Sequence, residues 1–239
     1  MIKTIKTRYQ ILDFTRGIAI GLMFIYHLSF GLAELGFFQI QFSTDLLWNG
    51  FRTLIVFMFL SLVGIGLFLA NRSQLNWPSY FKRLALLLVY FSLITLLSYY
   101  VRPNFYVFFG ILHLIFISSI LGLLFVRFYW FNLFLGLVIF LTGKFSGFDL
   151  FDSRESLWLG LNSITPLTDD YAPIIPWFGL VLVGIFIGRL LFGEKQSLAL
   201  TAWKANNWLS KLLVWSGRYS IHLYFIHFQM FYLLVLIFS

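Results

Sequence analysis

The 239-residue chain has no cysteine, five prolines, four histidines and only nine acidic residues. Without cysteine, disulfides, thiolate metal sites and thiol nucleophiles are excluded together. Charge is scarce too: Asp, Glu, Lys and Arg make up 11% of the chain, against 60% hydrophobic residues. A soluble domain carries about 25% charged residues, so this chain has too little polar surface to face water all round. That excludes an ordinary soluble enzyme, a disordered protein and a disulfide-stapled scaffold. It points to an integral membrane protein, all-α, folded as a single domain over residues 1–239. The sequence also lacks a P-loop, a dinucleotide fingerprint, an internal repeat and any His/Asp/Glu cluster at metal-ligand spacing, so no metal is expected.

What the chain has instead is long apolar runs, with 31 Phe residues suited to lipid-facing helices. A spanning helix takes about 20 such residues. Seven runs qualify as a polytopic bundle: Gln10–Gly31, Leu47–Ala70, Tyr80–Tyr100, Tyr106–Val126, Tyr129–Thr142, Pro173–Phe192 and Tyr219–Phe238. The fifth is short. Leu150–Leu167 reads as an interfacial or re-entrant segment, and Ala199–Leu213, with Lys204 and Lys211 beside Trp203 and Trp208, as an interfacial amphipathic helix. Lys3, Lys6 and Arg8 precede the first run as in a signal peptide. That run is too long, has no small-residue cleavage site and leads into no soluble body, so it is expected to be retained.

The net charge of +8 would suggest a nucleic-acid partner on a soluble protein. On a membrane protein it orients the chain. With the N-terminus cytoplasmic, thirteen of the 17 Lys and Arg residues fall inside, and Arg52, Arg102, Lys144 and Arg154 fall outside. No nucleic acid is therefore expected. The acidic residues sort oppositely: Glu34, Asp45, Asp149, Asp152, Glu155, Asp169 and Asp170 lie outside, Asp13 and Glu194 inside. Solvated loops and an acidic outer mouth both account for this.

Ionisable groups inside spans are costly, and are paired or functional. In the first run Asp13, Arg16 and His27 lie within about 60° of one another at about 100° per residue. Asp13 and Arg16, at i and i+3, suit a structural ion pair. His27 lies about 21 Å beyond Asp13 along the axis, in the outer half of the membrane. His113, in the fourth run, also falls in the outer half, within reach of His27. In the seventh run Arg218 and His222 share a face near the cytoplasm, and His227 lies near mid-bilayer. Structural and catalytic readings of these histidines both stand. Pro173 and Pro176 suit a first helical turn, and Trp177 an interfacial anchor. Gly17–Gly21 and Gly184–Gly188 suit close helix packing.

Several of these stretches together resemble the bacterial branch of the heparan-α-glucosaminide N-acetyltransferase catalytic-domain family. They are Asp13-Phe-Thr-Arg16-Gly-Ile-Ala-Ile-Gly-Leu-Met-Phe-Ile-Tyr-His27, Phe109-Gly-Ile-Leu-His113, Pro176-Trp-Phe-Gly179 with Gly184 and Gly188, and Gly217-Arg218-Tyr-Ser220 with Tyr224 and His227. They occur in order across four of the seven runs. The resemblance implies a multi-pass enzyme of the cytoplasmic membrane, an acyl-CoA-dependent N- or O-acetyltransferase. Acetyl-CoA would be its co-substrate and a sugar or glycan in the cell envelope its acceptor, with lipid around it and a homo-oligomer left open. The chain departs from the family pattern twice. Eukaryotic members carry a His just before Trp-Asn-Gly, whereas here Asp45 stands near that place before Trp48-Asn49-Gly50. The bacterial His-Gln-Pro ending is altered, because Phe228 separates His227 from Gln229.

On this reading Arg16, Lys82, Arg83, Arg127 and Arg218 are available for the nucleotide end of acetyl-CoA, since Arg suits bidentate phosphate contacts. His27 is the expected base or transient acyl carrier, with His113 and His227 as further catalytic candidates. Asp45, Asn49 and Trp177 are the candidates for holding the acceptor. Two other readings stay open: a transporter or flippase with a His proton relay, and a non-catalytic membrane subunit. The absence of inverted repeats argues against the transporter.

Overall fold

In lipid a backbone must satisfy its own polar groups, which drives apolar runs into helices. A computed structural model shows this. It describes residues 8–37, 39–40, 42, 45–72, 74–143, 147–193 and 198–238; Lys3, Lys6, Lys144, Glu194 and Lys195, given sides of the membrane above, lie outside the described residues. The helices are α1 (Gln10–Glu34), α2 (Leu46–Asn71), α3 (Trp77–Val101), α4 (Ile111–Phe125), α5 (Trp130–Thr142), α6 (Ile174–Phe192), α7 (Leu198–Ala202), α8 (Trp208–Arg218) and α9 (Ser220–Phe238). Among the described residues the only β-type pairing is a single bridge between Phe109 and Tyr171. Helices α1, α2, α3 and α6 are long and apolar enough to cross a membrane, and α4 and α5 are shorter apolar helices.

Polar caps fix where helices start. Asp45 accepts from Leu47 N (2.8 Å) and Trp48 N (3.2 Å), opening α2. Asn76 accepts from Ser79 N at 3.0 Å, and Asn207 exchanges hydrogen bonds with Ser210 at the head of α8. Such caps contribute about 1 kcal/mol each. The Asn207 cap also corrects the sequence reading: the helix expected over Ala199–Leu213 is two helices, α7 and α8, separated at 203–207.

The fourth run differs at its start. Expected from Tyr106, the helix begins at Ile111. The preceding residues are extended because they are tied to the loop before α6: Asp169 N donates to Phe105 O (2.9 Å), Ala172 N to Phe109 O (3.1 Å) and Thr168 Oγ1 to Tyr106 O (2.8 Å). That loop covers the Leu150–Leu167 stretch, which forms two short 3₁₀ turns, Asp149–Phe151 and Leu157–Leu159. Tyr171 anchors it, its hydroxyl donating to Leu157 O at 2.7 Å. Burial pushes the Tyr171 phenol up to about 12.

Small residues let the helices touch. A Cβ on Gly64 of α2 would overlap Val181 O of α6, and one on Gly184 would overlap Ser61 O. Gly17 of α1 lies against Leu213 O, and Gly217 against Asp13 O, so α8 is pressed onto α1. Gly21 meets nothing within 4 Å, so it is not a packing site.

The bundle has two distinct ends. At one, Tyr9 packs on Phe192 with centroids 4.8 Å apart, and Arg189 Nη1 donates to Arg127 O at 3.0 Å. At the other, Arg102 pairs with Asp169 (2.9 Å) and Arg52 Nη2 donates to Tyr171 O (2.6 Å).

Candidate active site

A cavity of about 240 Å³ lies at the second end. It is walled by α1 (Met23, Tyr26, His27, Phe30), by α2 (Asn49, Arg52), by Ile111, by the loop from Thr165 to Ala172, and by Tyr224 of α9. His27 is set by its own helix: Nδ1–H donates to Met23 O, four residues back, at 3.0 Å. A carbonyl only accepts, so this bond assigns the proton to Nδ1 and leaves the lone pair on Nε2. Among the described residues Nε2 has no hydrogen-bond partner.

The histidine the fold brings to His27 is His227, not His113. The His27 and His227 rings stand edge to face with centroids 4.7 Å apart. His227 is also oriented by a carbonyl, Nδ1–H donating to Tyr224 O at 2.7 Å, and its Nε2 is buried without a partner among the described residues. His113 has a different task. Its Nδ1 accepts from Gly110 N (3.1 Å), and its Nε2 lies 3.3 Å from Thr95 Oγ1, so it closes the start of α4. It packs on Phe91 and Phe109 and is not among the cavity-lining residues.

The acceptor-side candidates separate as well. Asn49 lines the cavity, Asp45 is the cap of α2, and Trp177 packs on Phe140 of α5 away from the cavity wall.

Two residues that sequence reasoning missed shape the site. Asp170 Oδ2 accepts from Ile111 N (2.9 Å) and from Tyr224 Oη (2.9 Å). Gly110 is what admits it, since a Cβ there would overlap the carboxylate. Arg52 holds the loop through Tyr171 O. The one sequence signal for the loop was the adjacent Asp169 and Asp170 in a chain with nine acids.

The other end carries the cations. Asp13 is 1% exposed in its side chain and lies between Arg16 Nη1 (2.9 Å) and Arg8 Nε (2.6 Å). The expected pair is therefore a triad, with Arg8 supplied from outside the helix. The Arg16 guanidinium lies against Gly66 of α2, and Arg83 of α3 is close enough to feel its charge. Arg83 has no ion-pair partner among the described residues. Lys82 and Arg218 are exposed. Arg127 lines a second cavity of about 540 Å³ with Arg72, Asn71 and Trp77.

The fold and site define a helical membrane protein with an imidazole in a cavity at one end and arginines gathered at the other. The chain belongs to the heparan-alpha-glucosaminide N-acetyltransferase catalytic family, which it matches over residues 8–229. That makes it a membrane transferase of the acetyltransferase class, a family that implies acetyl-CoA and a sugar as co-substrates. No curated protein and no solved structure matches it.

Proposed function

We propose that the chain crosses the bacterial cytoplasmic membrane seven times with its N-terminus in the cytoplasm, and moves an acetyl group from cytosolic acyl-CoA to an amine or hydroxyl of a sugar acceptor at the outer face. The observation that carries this reading is His27 in the cavity, with Nδ1–H committed to Met23 O and Nε2 left as a lone pair. It sits on the same helix as Arg16.

The donor's anionic end fits the opposite end of the bundle. Arg16 and Arg83 together carry one more positive charge than the nearby Asp13 offsets, even before Arg8 is counted. Lys82, Arg127 and Arg218 lie nearer the surface of that end and extend the basic path. Arginine meets phosphate with two parallel hydrogen bonds where geometry allows.

At the cavity, His27 Nε2 takes the proton from the acceptor as its nitrogen or oxygen attacks the thioester carbonyl. The new C–N or C–O bond forms, the C–S bond breaks, and the departing thiolate collects a proton. A transient acyl-His27 would use the same lone pair. Asn49, a cavity-wall residue, orients the acceptor on this reading. His227 supports the ring of His27, and His113 acts only by holding α4.

The test is His27→Ala in detergent-solubilised full-length protein. Acetyl transfer from acetyl-CoA to glucosamine should fall about 10²–10⁴-fold, the usual contribution of a positioned base, while thermal stabilisation by CoA persists. A folded His27→Ala protein that is stabilised by CoA and turns over at the unaltered rate overturns the assignment.

A further inference from the structure

The cavity of about 540 Å³ opens at the basic end, where α2 stops, α3 starts and α4 stops. Arg72 is the C-terminal cap of α2, and Arg127 follows the cap of α4. Both line the cavity, with Phe68 and Leu123 one turn back along the same helices and Trp77 at the head of α3. No acidic side chain is among the lining residues. Arg127 has no ion-pair partner among the described residues. Its carbonyl accepts from Arg189 Nη1 at 3.0 Å, which brings a third guanidinium close. One arginine at a helix C-terminus is ordinary, because the dipole favours it, and at a membrane surface it snorkels without needing a cavity. Here two, from different helices, share one hollow. Its wall is braced: Tyr80 Oη donates to Ser119 O at 2.8 Å, tying α3 to α4 one turn before Leu123.

This cavity is separate from the Arg16 cluster. Arg16 lies against Gly66 of α2, whereas Phe68 lines the cavity. Two residues are about 200° round a helix, so the two sites sit on opposite faces of α2. Trp77 and Arg83 likewise stand about 120° apart on α3. Among the described residues no part of α1 lines the cavity. Sign alone puts Arg127 on the donor's path; its place beyond α2 takes it off. The cavity opens toward lipid instead. Arg72, Trp77 and Arg127 are exposed. Beside them the exposed side chains are apolar: Phe81, stacked on Trp77 with centroids 5.7 Å apart, and Leu124, next after Leu123. Tryptophan belongs at headgroup level. Cations, then an indole, then hydrocarbon side chains repeat the layering of a phospholipid.

We infer that this cavity binds the headgroup of an anionic phospholipid, its phosphate between Arg72 and Arg127 and its acyl chains along Phe81 and Leu124. Basic pockets between spanning helices at a cytoplasmic surface suit such headgroups, and a guanidinium takes phosphate oxygens in pairs. The inference stands apart from the transferase reading and needs only that the bundle spans a membrane.

The test is native mass spectrometry of the full chain released from detergent, titrated with phosphatidylglycerol or phosphatidylcholine. Phosphatidylglycerol should bind about 10- to 100-fold tighter, the scale of a charge-assisted contact. Arg72→Gln with Arg127→Gln should erase that preference. Lys204→Gln with Lys211→Gln removes the same charge from exposed positions on the same end and should keep it. A readout on the folded protein is fluorescence: phosphatidylglycerol brominated on its acyl chains should quench the unaltered protein more than Trp77→Phe. Equal binding of the two lipids by the unaltered protein overturns the inference. So does a preference that survives loss of both arginines, or one that the lysine variant loses as fully. Quenching unchanged by Trp77→Phe overturns it too. Soluble glycerol 3-phosphate that binds as tightly as the lipid would make this a free-phosphate site, and full displacement of the lipid by CoA would make it the donor's; either result overturns the lipid assignment.

Discussion

Asp13 and Asp170 are both carboxylates set among helices, at opposite ends of the bundle, and they are treated in opposite ways. Asp13 lies between two guanidinium groups, Arg8 and Arg16. Asp170 is held by a backbone amide and a phenol, with no cation in contact among the described residues. A doubly paired carboxylate is a structural joint. A carboxylate held only by neutral donors keeps its charge available. The cations differ too: Arg102 is matched by Asp169 at the cavity end, whereas Arg83 at the other has no carboxylate partner among the described residues. At the cavity Arg52 and Arg102 balance Asp169 and Asp170 in charge, whereas among the described residues the opposite end keeps a positive surplus.

The largest effect should come from breaking the structural member of this contrast. Asp13→Ala leaves two arginines without their counter-charge. Removing one partner of a buried pair costs about 3–5 kcal/mol, so the thermal midpoint in detergent should collapse, whereas Asp170→Asn should cost no more than about 1 kcal/mol, one hydrogen bond's worth. Equal losses would erase the distinction. Next is the unmatched cation. Arg83→Met should weaken CoA binding about 10- to 100-fold, as one charge-assisted contact does, and leave glucosamine binding unchanged; titration calorimetry reads both. The smallest effect lies in the exposed loop. Ser163 donates to Asp152 through Oγ and N and holds that carboxyl below its usual range. A lowered carboxyl contributes stability above its unfolded pKa and loses it as pH falls through the folded one. Ser163→Ala removes the Oγ donor and keeps the backbone ones, so the Asp152 titration should move part of the way back toward its usual range, seen by carboxyl ¹³C NMR, with turnover at neutral pH unaltered.

How much of this was legible in the sequence depends on the range of the interaction. The run Leu47–Ala70 becomes α2, Leu46–Asn71, because a long apolar stretch has one good solution in lipid. Asp13 with Arg16 was legible because i and i+3 face each other on any helix. The start of α4 was not, because Tyr106–Gly110 is as apolar as the helix that follows. What stops the helix there is Asp170, 59 residues away. The same distance hid Asp170 as a site residue. The pairing of His27 with His227 joins residues 200 apart, and helical periodicity says nothing about which of two distant helices will be neighbours.

Arg16 and His27 lie eleven residues apart on one unbroken helix, about 16 Å of axial rise. A rigid rod joins the basic end to the imidazole, so α1 works as a ruler. On the proposed function, the length of donor it accepts is set by counting residues, not by the give of a loop. Adding one residue between these two positions would turn one against the other by about 100° and lengthen the gauge at the same stroke.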